Sequence, residues 1–167
     1  MVLPGPAAAL SCLRYDPVTA FQQADESSKR YMVVRGALSF DAEGLPDSYD
    51  EDAPEEWLTN GRVVGKSLAS DGFLNDFAED IVVVVGCIGP WCGMPQASDD
   101  ALMFLRVEAD GAAIYLDVDP CTPHHFGQPT EADFEAIEAC RAGDCPPVPE
   151  YFRRGLGPAT TEAGALP

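Results

Sequence analysis

The chain is short of positive charge. Ten lysines and arginines stand against 28 aspartates and glutamates in 167 residues, a formal net charge of -18. Nucleic acid and anionic membrane surfaces would both repel such a chain, which excludes them as general partners. Histidine is scarcer still: His124 and His125 are the only two. No Ser-His-Asp or Cys-His constellation stands out around them, and carboxylates are too abundant for any one pair to signal acid-base chemistry. No apolar run approaches the roughly 18 residues of a membrane-spanning helix. Cys-x-x-Cys pairs and internal repeats are absent too, which removes a zinc knuckle and a solenoid.

What remains is a chain of one-domain length with 46% hydrophobic residues, enough to bury a core and too apolar for wholesale disorder. It carries six cysteines, Cys12, Cys87, Cys92, Cys121, Cys140 and Cys145. An even number invites a disulfide reading where the compartment is oxidising. The start "MVLPGPAAALSC" fits that compartment: Ala7-Ala8-Ala9 is an A-x-A processing signal, so residues 1–11 read as the remnant of a secretory leader. The expected location is periplasmic or secreted.

Along the chain, "YDPVTAFQQADES" opens a helix, with Asp16 as cap, Pro17 in the first position and Val18 with Phe21 on its apolar face. "RYMVVRGALSF" then alternates with period two and reads as a strand. Residues 41–60 carry eight carboxylates, no lysine or arginine, and two prolines, which predicts a long acidic loop. Clustered carboxylate oxygens suit a hard cation, although the spacing does not follow a calcium-loop pattern. "GRVVGKSLAS" predicts a second strand with Gly65 at a bulge or bend. "DIVVVVG" predicts a third, central one. "ALMFLRVEADGAAIYLDVDPC" predicts a hairpin turning at Asp110-Gly111. A short helix follows, capped by Thr130 with Asp133, burying Phe134, Ile137 and Cys140 and ending at Gly143. Residues 146–167, rich in Pro, Gly and Ala, read as a flexible tail.

Five strands, a bend glycine and helices only near the ends predict a mainly β fold, a five-stranded Greek-key OB-like barrel with short N- and C-terminal helices, over residues 12–145. A parallel sheet would need a helix between successive strands.

Two stretches carry possible chemistry. "VVVVGCIGPWCGMP" ends a strand in Trp91-Cys92-Gly93, as a thioredoxin site begins. No cysteine follows Cys92 at the resolving position, and no amphipathic helix follows Pro95. Thiol-disulfide exchange at Cys87/Cys92 is therefore the alternative reading, and a structural disulfide framework is the main one. Six cysteines allow fifteen connectivities. The expected pairing joins Cys140 to Cys145 and anchors Cys12 to a strand cysteine. "CTPHH" offers Cys121, His124 and His125 as zinc ligands with Cys140 or Cys145. Disulfides account for all six cysteines without a metal, so no cofactor and no metal are expected.

The residues also resemble a known family. Cys92-Gly93, the strand "ALMFLRVEADG", a second strand and Cys121 are similar to the netrin/tissue-inhibitor-of-metalloproteinases (NTR) module. "AFQQADESSKRYMVVRGALSF" resembles its A-F-x-x-A-D helix and first V-x-G strand. Small secreted bacterial proteins share this layout, including a "GPWCG" turn. The resemblance spans residues 12–122 and implies a disulfide-pinned OB-like barrel. Metalloproteinase inhibition in that family uses an N-terminal Cys-x-Cys. Here Arg14 stands at the second cysteine, so inhibition through Cys12 is a further alternative. The wider family implies adhesion and binding. The expectation is a non-enzymatic, monomeric binding module for an unknown protein or small ligand, with Trp57 and Trp91 as candidate interaction residues.

Overall fold

A computed structural model describes residues 15–121 and 124–147. The expected leader remnant, Cys12 and the tail beyond Pro147 lie outside the described residues. The first helix, α1 (Pro17–Glu26), starts where its cap chemistry requires: the Asp16 side chain accepts from the Thr19 amide and Pro17 takes the first turn. Seven strands follow: β1 (Arg30–Phe40), β2 (Glu56–Ala69), β3 (Gly72–Ile88), β4 (Trp91–Cys92), β5 (Ser98–Val107), β6 (Ile114–Val118) and β7 (His125–Phe126). The chain then enters α2 (Glu131–Arg141), whose Thr130–Asp133 capping box is formed in both directions.

The fold is mainly β. Antiparallel pairing joins β1 to β2 and β2 to β3. β3 then pairs with β6 in parallel, β6 pairs with β5, and β5 returns to pair with β1. β3 is thus central, as its apolar run predicts. β4 folds back on the end of β3, and β7 pairs antiparallel with β5.

Alternation divides the buried residues between two cores. Val34 and Leu38 of β1, Val63 of β2, Phe77, Ile81, Val83 and Val85 of β3, and Leu116 of β6 point into the first. The second lies between the two helices and the outer side of β1 and β5, and holds Ala20, Val33, Phe134 and Ile137. β1 and β5 serve both cores, β5 most fully. In "ALMFL", Ala101, Met103 and Leu105 enter the first core while Leu102 and Phe104 enter the second, all five fully buried. An unbroken apolar run is what burial on two faces demands.

Several expectations are corrected. The acidic loop stops at Glu55, so Trp57 sits on β2. Residues 72–79 are strand rather than connection, because β2 and β3 form one long hairpin around Ser70-Asp71. Its polar outer positions are held by cross-strand ion pairs, Arg62 with Asp80 and Lys66 with Asp76. The β5–β6 connection is longer than a two-residue turn: Glu108 and Ala113 bond across it, and among its residues only Gly111 has positive φ. Gly65 introduces no register shift. Register shifts lie instead in β1, between Gly36 and Leu38 against β5, and near the β2–β3 turn, between Ser67 and Leu68.

Candidate interaction surface

The opening stretch of chemistry, "CIGPWC", is a tight β3–β4 hairpin. Cys87 and Cys92 are directly opposed across it and joined by a disulfide, and Gly89 takes the left-handed position the turn needs. Cys92 is buried. The next residue, Gly93, lies so close to β6 that a Cβ there would sit 2.0 Å from the Val118 carbonyl oxygen. Cys-Gly is therefore a packing requirement at this corner. The chain continues from Gly93 as a loop to Ser98, and the two described helices begin at Pro17 and Glu131, so neither follows Cys92 along the chain. Among the described residues neither cysteine opens a helix, the arrangement that stabilises a reactive thiolate.

The acidic segment is strapped onto this hairpin. Cys92 donates its amide to Ser48 O at 3.1 Å, Asp50 donates to Pro90 O at 2.8 Å, and Cys87 donates to Glu55 O at 2.9 Å. Tyr49 forms a β-bridge with Trp91, and their rings meet edge to face at 4.8 Å. Several carboxylates in the strap serve its own turns: Asp41 accepts from the Glu43 amide, Asp50 from the Asp52 amide, and Glu51 from the Tyr49 hydroxyl. That last bond raises the Tyr49 phenol pKa, since losing the proton would place two negative charges together. Among the described residues no three His, Cys, Asp or Glu side chains converge as a metal site.

What emerges is an exposed apolar patch with an acidic rim. Tyr49 and Ile88, both paired with Trp91, are each about half exposed, at 48% and 44%. Trp91 lies half-buried beside Tyr49, and Asp47, Glu51, Asp52, Glu55 and Glu56 are exposed on the strap and its continuation. The two candidate tryptophans thus have different surroundings. Trp57 packs against the first core and buries its indole N–H away from any protein acceptor, whereas Trp91 belongs to the patch. Tyr49 is the residue that sequence reasoning missed. Its signal is an aromatic set inside "DSYDEDAPEE", where nothing apolar nearby explains it.

The remaining candidates fall elsewhere. Cys140 and Cys145 are paired as expected, and Cys121 is disulfide-bonded, so none of them is a thiolate available to zinc. The expected pairing of Cys12 falls outside the described residues. His124 stacks on Tyr31 with ring centroids 5.0 Å apart, and His125 lies on β7 opposite Met103. Burial lowers the pKa of both imidazoles; for His124 the nearby Asp117 and Asp119 partly oppose it. No helix among the described residues is long and apolar enough to cross a membrane. No family model, curated protein or solved structure matches the chain.

Proposed function

We propose that the chain is a non-enzymatic binding module, secreted or periplasmic, of the netrin/tissue-inhibitor-of-metalloproteinases type, built on a five-stranded OB-like barrel. The cyclic strand pairing β1-β2-β3-β6-β5-β1, with its one parallel pair, supports the barrel. The oxidised cysteines support a compartment outside the cytoplasm. The observation that carries the function is the Tyr49–Trp91 patch. It sets aromatic and aliphatic groups on a disulfide-braced turn and surrounds them with carboxylates, which selects a protein partner presenting an apolar contact within a basic surface. Apolar anchors supply affinity and the charged rim supplies steering and selection.

The test is quantitative capture from native extracellular fluid on immobilised protein, compared with Tyr49→Ser/Ile88→Ser. A basic protein retained by the wild type, lost with the double variant and released in about 1 M salt, where the screening length falls to about 3 Å, supports the reading. Equal retention by the variant sinks it. Insulin reduction tests the enzyme alternative: turnover abolished by Cys92→Ser would replace the binding module with thiol-disulfide exchange. For inhibition through Cys12, N-terminal sequencing of secreted material decides, since any residue ahead of Cys12 blocks the free amine that mechanism needs.

A further inference from the structure

In so acidic a molecule the few cations are informative. Among the described residues, Arg35, Arg62, Lys66 and Arg106 each sit in an ion pair with a carboxylate. Lys29, Arg30 and Arg141 have no such partner, and all three line one cavity of about 670 Å³. The cavity lies where the C-terminal end of α1 meets the start of β1, the ends of β2 and β5, and Arg141 at the end of α2. Its volume falls within the range of small-molecule sites, about 300–1,000 Å³.

The lining is of two kinds. Phe21, Val33, Leu68 and Val107 give it an apolar floor, of which Val33 and Val107 are buried. The three exposed cations stand at its rim with the Ser27 and Ser28 hydroxyls. Arg30 donates one bond to the Glu108 carbonyl, leaving the rest of its guanidinium free. Asp25 also lines the cavity, and each helix C-terminus adds about half a negative charge. Glu26, beside the lining Ser27, and Glu108, held by Arg106, also stand close by, so the preference for a single anionic head rests on the three cationic side chains without a carboxylate partner and not on a net charge. The distant carboxylates are screened beyond about 8 Å at physiological salt, so they do not cancel this local field.

We propose that this cavity binds a small amphiphilic monoanion, with a carboxylate-like head on Lys29, Arg30 and Arg141 and an aliphatic body on the apolar floor. The site is separate from the Tyr49–Trp91 patch and stands or falls independently of it. A free molecule rather than a bilayer is the occupant, because an anionic membrane meets the whole charge of -18 while a single small anion meets only the rim.

Isothermal titration with decanoate tests this, with decanol as the uncharged counterpart. Saturable one-site binding of decanoate, much weaker binding of decanol, and about tenfold weaker decanoate binding in each of Arg30→Glu and Arg141→Glu are expected. Arg62→Glu, away from the cavity, leaves the affinity unchanged. Circular dichroism and melting curves establish that each variant is folded. Decanol binding as tightly as decanoate, unchanged affinity in the reversed-charge variants, or no saturable binding at millimolar decanoate would overturn the proposal. So would sedimentation with phosphatidylglycerol vesicles in the absence of decanoate binding.

Discussion

Gly36 of β1 and Gly65 of β2 face each other so closely that neither position has room for a side chain. A Cβ on Gly65 would lie 2.1 Å from the Arg35 carbonyl oxygen, and one on Gly36 would lie 2.3 Å from the Val64 carbonyl oxygen. The obstructing atoms are backbone, so no rotamer change relieves the clash. Here β1 pairs with β2 and β5 at once, and its register against β5 shifts between Gly36 and Leu38. Gly36→Ala and Gly65→Ala are each expected to cost about 3 kcal/mol by urea denaturation. Gly44→Ala, with positive φ and open space around it, is expected to cost only about 1 kcal/mol. Because one opening of the crossing relieves both clashes, the double variant Gly36→Ala/Gly65→Ala should lose less than the sum.

The Cys87–Cys92 bridge closes a short loop, and the chain-entropy argument assigns such a loop about 2 kcal/mol. Cys87→Ser/Cys92→Ser should therefore lose roughly 2 kcal/mol of stability. Three strap hydrogen bonds end on this hairpin, so proteolysis within residues 41–55 should accelerate in the same variant. A loss of stability with an unchanged cleavage rate would show that the strap holds without the bridge.

How far the sequence could be read depended on whether a local pattern had a local cause. Both helices were legible from their caps, because Asp16-Pro17 and Thr130-x-x-Asp133 solve a problem internal to the helix end. β1 was legible from its alternation, and the "VVVV" of β3 from a continuous apolar run of the kind a strand buried on both faces shows. Residues 72–79 were not, since Asn75, Asp76 and Glu79 decorate a ribbon whose outer side faces water. The Asp110-Gly111 pair misled: the chain uses a wider turn with Gly111 alone in the left-handed region. At the candidate site Trp91 was visible, but Tyr49 becomes its partner only through a contact 42 positions away in the chain, beyond any local pattern.

The two tryptophans should separate stability from recognition. Trp57 packs on the first core, so Trp57→Ala is expected to cost about 3 kcal/mol. Trp91 meets Tyr49 at the surface, and Trp91→Ala should cost about 1 kcal/mol while reducing capture of the basic partner. Equal losses of stability would place Trp91 in the core framework and remove it from the binding surface.

Arg35 ties three elements together. Its guanidinium makes a bidentate contact with Asp100 of β5, reaches Glu131 at the start of α2, and lies 3.8 Å from the centroid of the Phe134 ring. The two carboxylates hold its pKa above the usual arginine range. A lysine keeps the charge but loses the planar fork and the stacked face. In a double-mutant cycle, Arg35 and Asp100 should couple by about 1 kcal/mol, with Arg35→Lys retaining less than half of that. Full retention in lysine would mean that charge alone, and not geometry, joins Arg35 to Asp100 of β5.

His124 and His125 predict the direction of the pH response. Burial lowers both imidazole pKa values below the ordinary value near 6.5, so the unfolded chain binds the proton first as pH falls. Their contribution to stability is complete above about pH 6.5 and declines below it, by at most about 1.4 kcal/mol per pH unit for each histidine. The decline stops once pH passes the lowered folded values. His125 gives the cleaner test, because its shift comes from burial alone, whereas the Asp117 and Asp119 charges offset part of the shift at His124. Urea denaturation at pH 7.5 and pH 5.5 should show the wild type losing stability on acidification, and His125→Gln should flatten that loss. Asp76, whose pKa Lys66 lowers in the folded protein, acts in the same direction but in the lower window of carboxylate titration. An unchanged slope in His125→Gln would leave His125 without a role in it and assign the acid sensitivity of this window to His124.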